Sequence, residues 1–99
     1  MTEIKPVAVN GKTVVGVESG NPDFPEKPAI IVLMAKNSLI VRRNFDIYAL
    51  DERNVTAARA KGLTKIEDSL EARIESCTSK ARALGIAEGM TGREALTKI

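Results

Sequence analysis

The chain has no histidine and no tryptophan, and only one cysteine, one tyrosine and two phenylalanines in 99 residues. Without histidine, a single chain cannot build a His/Cys zinc site, a histidine-based triad or an imidazole general base. The acid and base groups that remain are carboxylates, lysines, Tyr48 and Cys77. One cysteine makes no intrachain disulfide and fits a reducing compartment. The opening Met1-Thr2-Glu3-Ile4-Lys5-Pro6 lacks the apolar core of a signal peptide, and the longest apolar run, Ala29 to Ala35, has seven residues. That is too short to span a bilayer, so the expected address is the cytoplasm, with no membrane partner and no metal.

Charge of one sign is also lacking. Fifteen Lys and Arg are scattered among thirteen acids for a net charge of +2, which gives no support to nucleic-acid binding. What is present is an ordinary globular composition, 43% hydrophobic and 28% charged, well away from disorder. The whole chain, 1–99, reads as a single domain whose core is modest unless partner subunits enlarge it.

Along the chain, Val7-Ala8-Val9 and Thr13-Val14-Val15-Gly16-Val17 flank Asn10-Gly11, the pair that best tolerates a tight hairpin turn. A hairpin is expected from about Ile4 to Ser19. Three prolines between Pro22 and Pro28 make Gly20 to Pro28 a loop. Ala29 to Ala35 and Leu39-Ile40-Val41 then read as strands, the first apolar on both faces. A sheet covered on one side by helices normally shows alternation, so the second apolar face calls for another subunit's sheet.

Asp46 to Arg53 reads as a short helix capped by Asp46, with Tyr48 as a half-buried aromatic. Thr56 to Lys61 has helical propensity. From Ile66, the positions Ile66, Leu70, Ile74, Cys77, Ala81 and Leu84 follow spacings of three and four, the stripe of an amphipathic helix ending near Gly85. Cys77, on that stripe, is read as a core residue.

Ala60-Lys61-Gly62-Leu63-Thr64-Lys65-Ile66-Glu67-Asp68, Ala81-Arg82-Ala83-Leu84-Gly85-Ile86 and above all Gly89-Met90-Thr91-Gly92-Arg93-Glu94-Ala95-Leu96 resemble the YunC-like domain of unknown function, found in bacteria and archaea. The resemblance covers Asn54 to Ile99 without gaps and the preceding strands more loosely. It implies a small α/β domain whose N-terminal β region mediates tetramerisation, and it brings no activity or cofactor. It also implies that Val55 to Gly62 is a strand, which is adopted against propensity, and that the helix over 64–85 breaks near Glu71-Ala72-Arg73, although no proline enforces a break. Similar sequences can carry Cys-Gly where this chain has Arg42-Arg43, so no thiol role transfers to that position.

The expected fold is therefore α/β of the α+β type. Residues 1–43 form a β-rich oligomerisation region of a mostly antiparallel sheet with four or five strands overall. Residues 44–99 supply helix, strand and helices, packed on one face while the other is buried between subunits.

Thr91-Gly92-Arg93-Glu94 has capping-box spacing, with Met90 and Ala95 as an apolar staple. Capping leaves Gly92 and Arg93 unexplained, because glycine and a cation are both disfavoured in a first helical turn. The functional reading is an anion held by first-turn amides and Arg93, with Gly89, Thr91, Gly92, Arg93 and Glu94 as site residues. The anion could equally be a protein carboxylate: Glu88, Asp46 or a neighbouring subunit's Ile99. On either version Arg93→Ala lowers oligomer stability or abolishes anion binding.

Arg42, Arg43 and Asp46, with Arg59 and Lys61, are secondary candidates, read first as a solvated edge and second as a positive patch. The functional class that results is an interaction or anionic small-ligand-binding module without catalysis. The alternative is an enzyme acting on a small anionic substrate at the Gly92/Arg93 helix start, with Asp46, Glu94, Arg93 and Tyr48 as its parts.

Overall fold

In the computed structural model, which describes residues 2–20, 28–36, 38–42, 45–63 and 65–99, the sheet starts from the Asn10-Gly11 turn. Both turn residues take positive φ, 51° and 76°, as a two-residue hairpin loop requires. The turn joins β1 (Thr2–Val9) to β2 (Lys12–Gly20), as expected from sequence. There follow β3 (Pro28–Ala35), β4 (Ser38–Val41), α1 (Ile47–Glu52), β5 (Thr56–Ala60), α2 (Asp68–Glu71), β6 (Ile74–Cys77), α3 (Ser79–Ala83) and α4 (Gly92–Leu96). The proline-rich loop expected before β3 falls at 21–27, outside the described residues, as do Asn37 and Arg43.

The strands form one six-stranded sheet in sequential order, so the expected four or five strands fall short. Every neighbouring pair is antiparallel except β4–β5, which is parallel and crosses over through α1. β5 is a strand, against its alanine-rich propensity. Its place explains why: it is bonded on both sides, and Ala57, Ala58 and Ala60 are at most 1% exposed, so small side chains let layers close on both faces.

Strand alternation divides the core in two. Val9, Val14, Ile31, Leu33, Ile40, Ala58 and Ala60 point to one face, where Ile66, Ala81, Ala95 and Leu96 complete the main cluster. Val41 and Ala57 point to the other face and are buried under Ile47 of α1. The helices are thus not all on one face: α1 covers the β4–β5 end of the second.

The continuous helix over the 66–84 stripe is not formed. α2 stops at Glu71, Ala72 turns extended with ψ 147°, and Ile74 to Cys77 join the sheet edge as β6 before Thr78 caps α3. The break lies where the family resemblance placed it. Ile66, Ile74, Cys77 and Ala81 are buried all the same, whereas Leu84 is 45% exposed. Cys77 is a core residue, and burial pushes its thiol pKa up. Tyr48 is not half-buried; it is 81% exposed.

Candidate functional site

The C-terminal motif folds back onto β6. Ile74 N–H donates to the Met90 carbonyl at 2.7 Å and Gly89 N–H to the Ile74 carbonyl at 2.9 Å, while Arg73 and Thr91 form an antiparallel bridge. The Arg73 guanidinium adds a 2.8 Å bond to the Gly89 carbonyl. These contacts satisfy backbone groups of β6 that an open sheet edge would leave unpaired. Met90 packs against the core cluster, and Ala95 and Leu96 are inside it.

Thr91 makes the capping box as expected. Its Oγ1 accepts from Glu94 N–H at 3.2 Å, and Glu94 Oε1 accepts from Thr91 N–H at 3.1 Å. These Thr91 bonds hold the Glu94 carboxyl below the usual glutamate range, with help from the charge of Arg73. Because the folded pKa is lowered, the stabilisation is present above the unfolded value, about 4.3, and is lost as pH falls through the folded one. We therefore expect Thr91→Ala to show a smaller loss of urea midpoint than wild type over that acid window, measured by circular dichroism from neutral pH downward. An equal acid dependence in both proteins would show that the box does not titrate with folding.

Gly92 and Arg93, which capping does not explain, both meet α2. A Cβ built on Gly92 would lie 1.7 Å from the Ser69 carbonyl oxygen, and Gly92 N–H donates to the Ala72 carbonyl at 3.0 Å. The glycine is needed because two backbones touch there. The Arg93 Nε and Nη2 both reach Glu71 Oε1, at 3.2 and 2.9 Å. Its countercharge is thus a carboxylate of the same chain, at a position not among those anticipated. Nothing in local spacing marks Glu71, since it lies 22 residues away and the fold alone brings it near.

The secondary candidates are dispersed. Asp46 Oδ1 caps α1, accepting from Tyr48 and Ala49 N–H at 3.0 and 3.2 Å. Arg42 Nε donates to the Leu63 carbonyl and Arg59 Nη1 to the Phe45 carbonyl, each at 3.1 Å. Arg59 Nε also lies 3.1 Å from Glu75 Oε1. Both arginines therefore anchor loops; Arg43 lies outside the described residues.

The family described as Domain of unknown function (DUF1805) has a model that matches residues 44–99, more than half the chain and all of the C-terminal motif. The chain belongs to this family. It is 32% identical over 103 positions to the uncharacterized protein YunC of Bacillus subtilis (strain 168), covering 100% of this chain and 98% of that protein. The fold of this DUF1805 member is similar to that of TA1206, a protein of unknown function from Thermoplasma acidophilum, with a TM-score of 0.85 at 19% identity over 99% of this chain and 92% of that one. At that identity the likeness speaks for the fold alone.

In this DUF1805 domain one further surface stands out. The register places Ile4, Pro6, Val15, Val17, Ile30, Val32 and Met34 together on the face of β1–β3 turned away from the main core. Ile4 is 68% exposed, and Val15, Ile30 and Met34 are each 40% exposed. The charged residues of these strands, Glu3, Lys5, Lys12 and Glu18, all alternate to the helix-covered face. There Lys5 pairs with Glu67, Lys12 Nζ donates to the Ile99 carbonyl, and Glu18 accepts from Ile66 N–H. This is the reverse of a strand face meant for water. No described helix is long and apolar enough to cross a membrane.

Proposed function

We propose that the domain is a cytoplasmic interaction module that assembles with copies of itself, as a homotetramer, through the outer face of β1–β3. The observation that carries this reading is the charge-free apolar face with four exposed large side chains. Three strands about 4.8 Å apart and about seven residues long present on the order of 300 Å² in projection, within the range of the largest apolar patches on monomers, which are often functional. A standard interface takes about 800 Å² a side, and α1, on the same side with Tyr48 exposed, supplies flanking surface.

A second copy suits the face because neither copy brings charge to it. Two chains of net charge +2 can meet there without a like-charge pair in contact. Face packing is also favoured over edge pairing: β1 is an edge strand and contains Pro6, which has no N–H to offer a neighbour. The interaction reading is preferred to an anion site at Gly92 and Arg93 because the charge of Arg93 is met by Glu71 and the missing side chain of Gly92 by the Ser69 carbonyl.

Ile4→Glu combined with Val15→Glu places two carboxylates on the face at exposed positions, so the single-chain fold should persist. In sedimentation velocity at micromolar concentration, wild type should run as four chains and the double variant as fewer, with the same circular dichroism spectrum. A wild type that sediments as a single chain, or a variant with unchanged assembly, would remove the proposal.

A further inference from the structure

We propose that the cavity between α1 and the β5–β6 edge binds a small zwitterion with a carboxylate and an ammonium group, of the α-amino acid class. The cavity has a volume of about 220 Å³, and its lining includes Arg59, Ser76, Asp51, Arg82, Glu88 and Tyr48. That is room for a molecule of several non-hydrogen atoms.

Arg59 and Ser76 are register partners on β5 and β6, so their side chains stand side by side on one face. Ser76 Oγ is buried with no hydrogen-bond partner among the described residues. Arg59 Nε is also buried, and it is ion-paired with Glu75 Oε1 at 3.1 Å. Buried polar groups almost always have partners, and the unpartnered Ser76 hydroxyl beside a guanidinium defines where an acceptor belongs. A ligand carboxylate can accept from that hydroxyl, with the neighbouring guanidinium supplying opposite charge.

The remaining charges of the lining set what else the ligand carries. Asp51 is held by Ser79, whose N–H and Oγ each lie 3.0 Å from its carboxylate, and Glu88 accepts from Arg82 at 3.3 Å. Both carboxylates retain lone pairs beyond these bonds and can accept from an ammonium. Two guanidinium groups and two carboxylates thus line one small cavity, with Glu75 a further carboxylate on Arg59. A plain anion or a plain cation answers one half of that lining and opposes the other, whereas a zwitterion answers both.

The test is a ¹H–¹⁵N NMR titration of the full chain with each common L-α-amino acid at millimolar concentration. Propionate and ethylamine serve as the two halves of the ligand. At least one amino acid should shift the Ser76 and Tyr48 amides saturably, and neither half should match it at equal concentration. Ser76→Ala should weaken that binding by about tenfold or more, as loss of a hydrogen bond to a charged group does. Glu88→Gln changes a side chain that is 58% exposed, keeps the fold and should weaken binding as well. The proposal is overturned if no amino acid shifts those amides, if propionate alone binds as tightly, or if Glu88→Gln binds unchanged.

Discussion

Gly92→Ala is expected to lower the thermal midpoint by about 12 °C or more, taking a cost of about 3 kcal/mol and about 4–8 °C per kcal/mol for a domain of this size. The new Cβ would stand 1.7 Å from the Ser69 carbonyl oxygen, a backbone atom that no rotamer change can move away. α2 and α4 must separate, and with them go the Gly92–Ala72 hydrogen bond and the seating of Ala95 and Leu96 in the core. Arg93→Ala, one residue on, should change stability by no more than about 1 kcal/mol, because its pair with Glu71 is solvent-exposed, 46% and 70% by side chain. Differential scanning calorimetry of the two variants ranks them. A Gly92→Ala midpoint within a few degrees of wild type would mean that the two backbones are not in contact.

Thr78→Val should cost about 2–4 kcal/mol, the sum of a lost helix cap and a buried donor left unpaired. Thr78 is fully buried, and its Oγ1 accepts from Ala57 N–H at 3.1 Å and from Ala81 N–H at 3.4 Å. One hydroxyl thus joins the interior strand β5 to the start of α3. Valine keeps the shape and removes the acceptor, leaving the Ala57 N–H without its partner. Thr78→Ser, which keeps the hydroxyl, should recover most of the loss. Urea denaturation of the pair decides it: a serine variant no more stable than the valine variant would show that the hydroxyl does not carry the stability.

The stretch from Ile66 to Leu84 shows how a period can mislead. Spacings of three and four place residues on one stripe of a helix, but a turn, a short helix, an edge strand and another short helix deliver Ile66, Ile74, Cys77 and Ala81 to the same core. The hydrophobic pattern reports burial, and burial alone does not say which backbone produces it. Thr78-Ser79, able to cap a new helix within the supposed one, was the local signal of interruption. The hairpin was legible because Asn10-Gly11 dictates its own turn, and the Asp46 cap and the Thr91 capping box were legible because their partners lie within three residues.

What could not be read was each partner that is distant in sequence. Glu71 beneath Arg93, the Ser69 carbonyl against Gly92 and the Met90 strand contact on β6 all depend on how α2 and α4 are laid across the sheet. The pairing of Arg59 with Ser76 depends on a register between β5 and β6 that no spacing encodes.

By itself the chain sequence determined the chemistries it could not host, the turn and cap positions, the apolar strands and the family. These follow from residue type and from interactions a few positions long. Only the tertiary structure decided that Gly92 and Arg93 meet α2, that β6 replaces helix, and that every charge of β1–β3 lies on the helix-covered side. Those outcomes are set by packing between elements, where a backbone contact or a strand register brings together residues that sequence distance keeps apart.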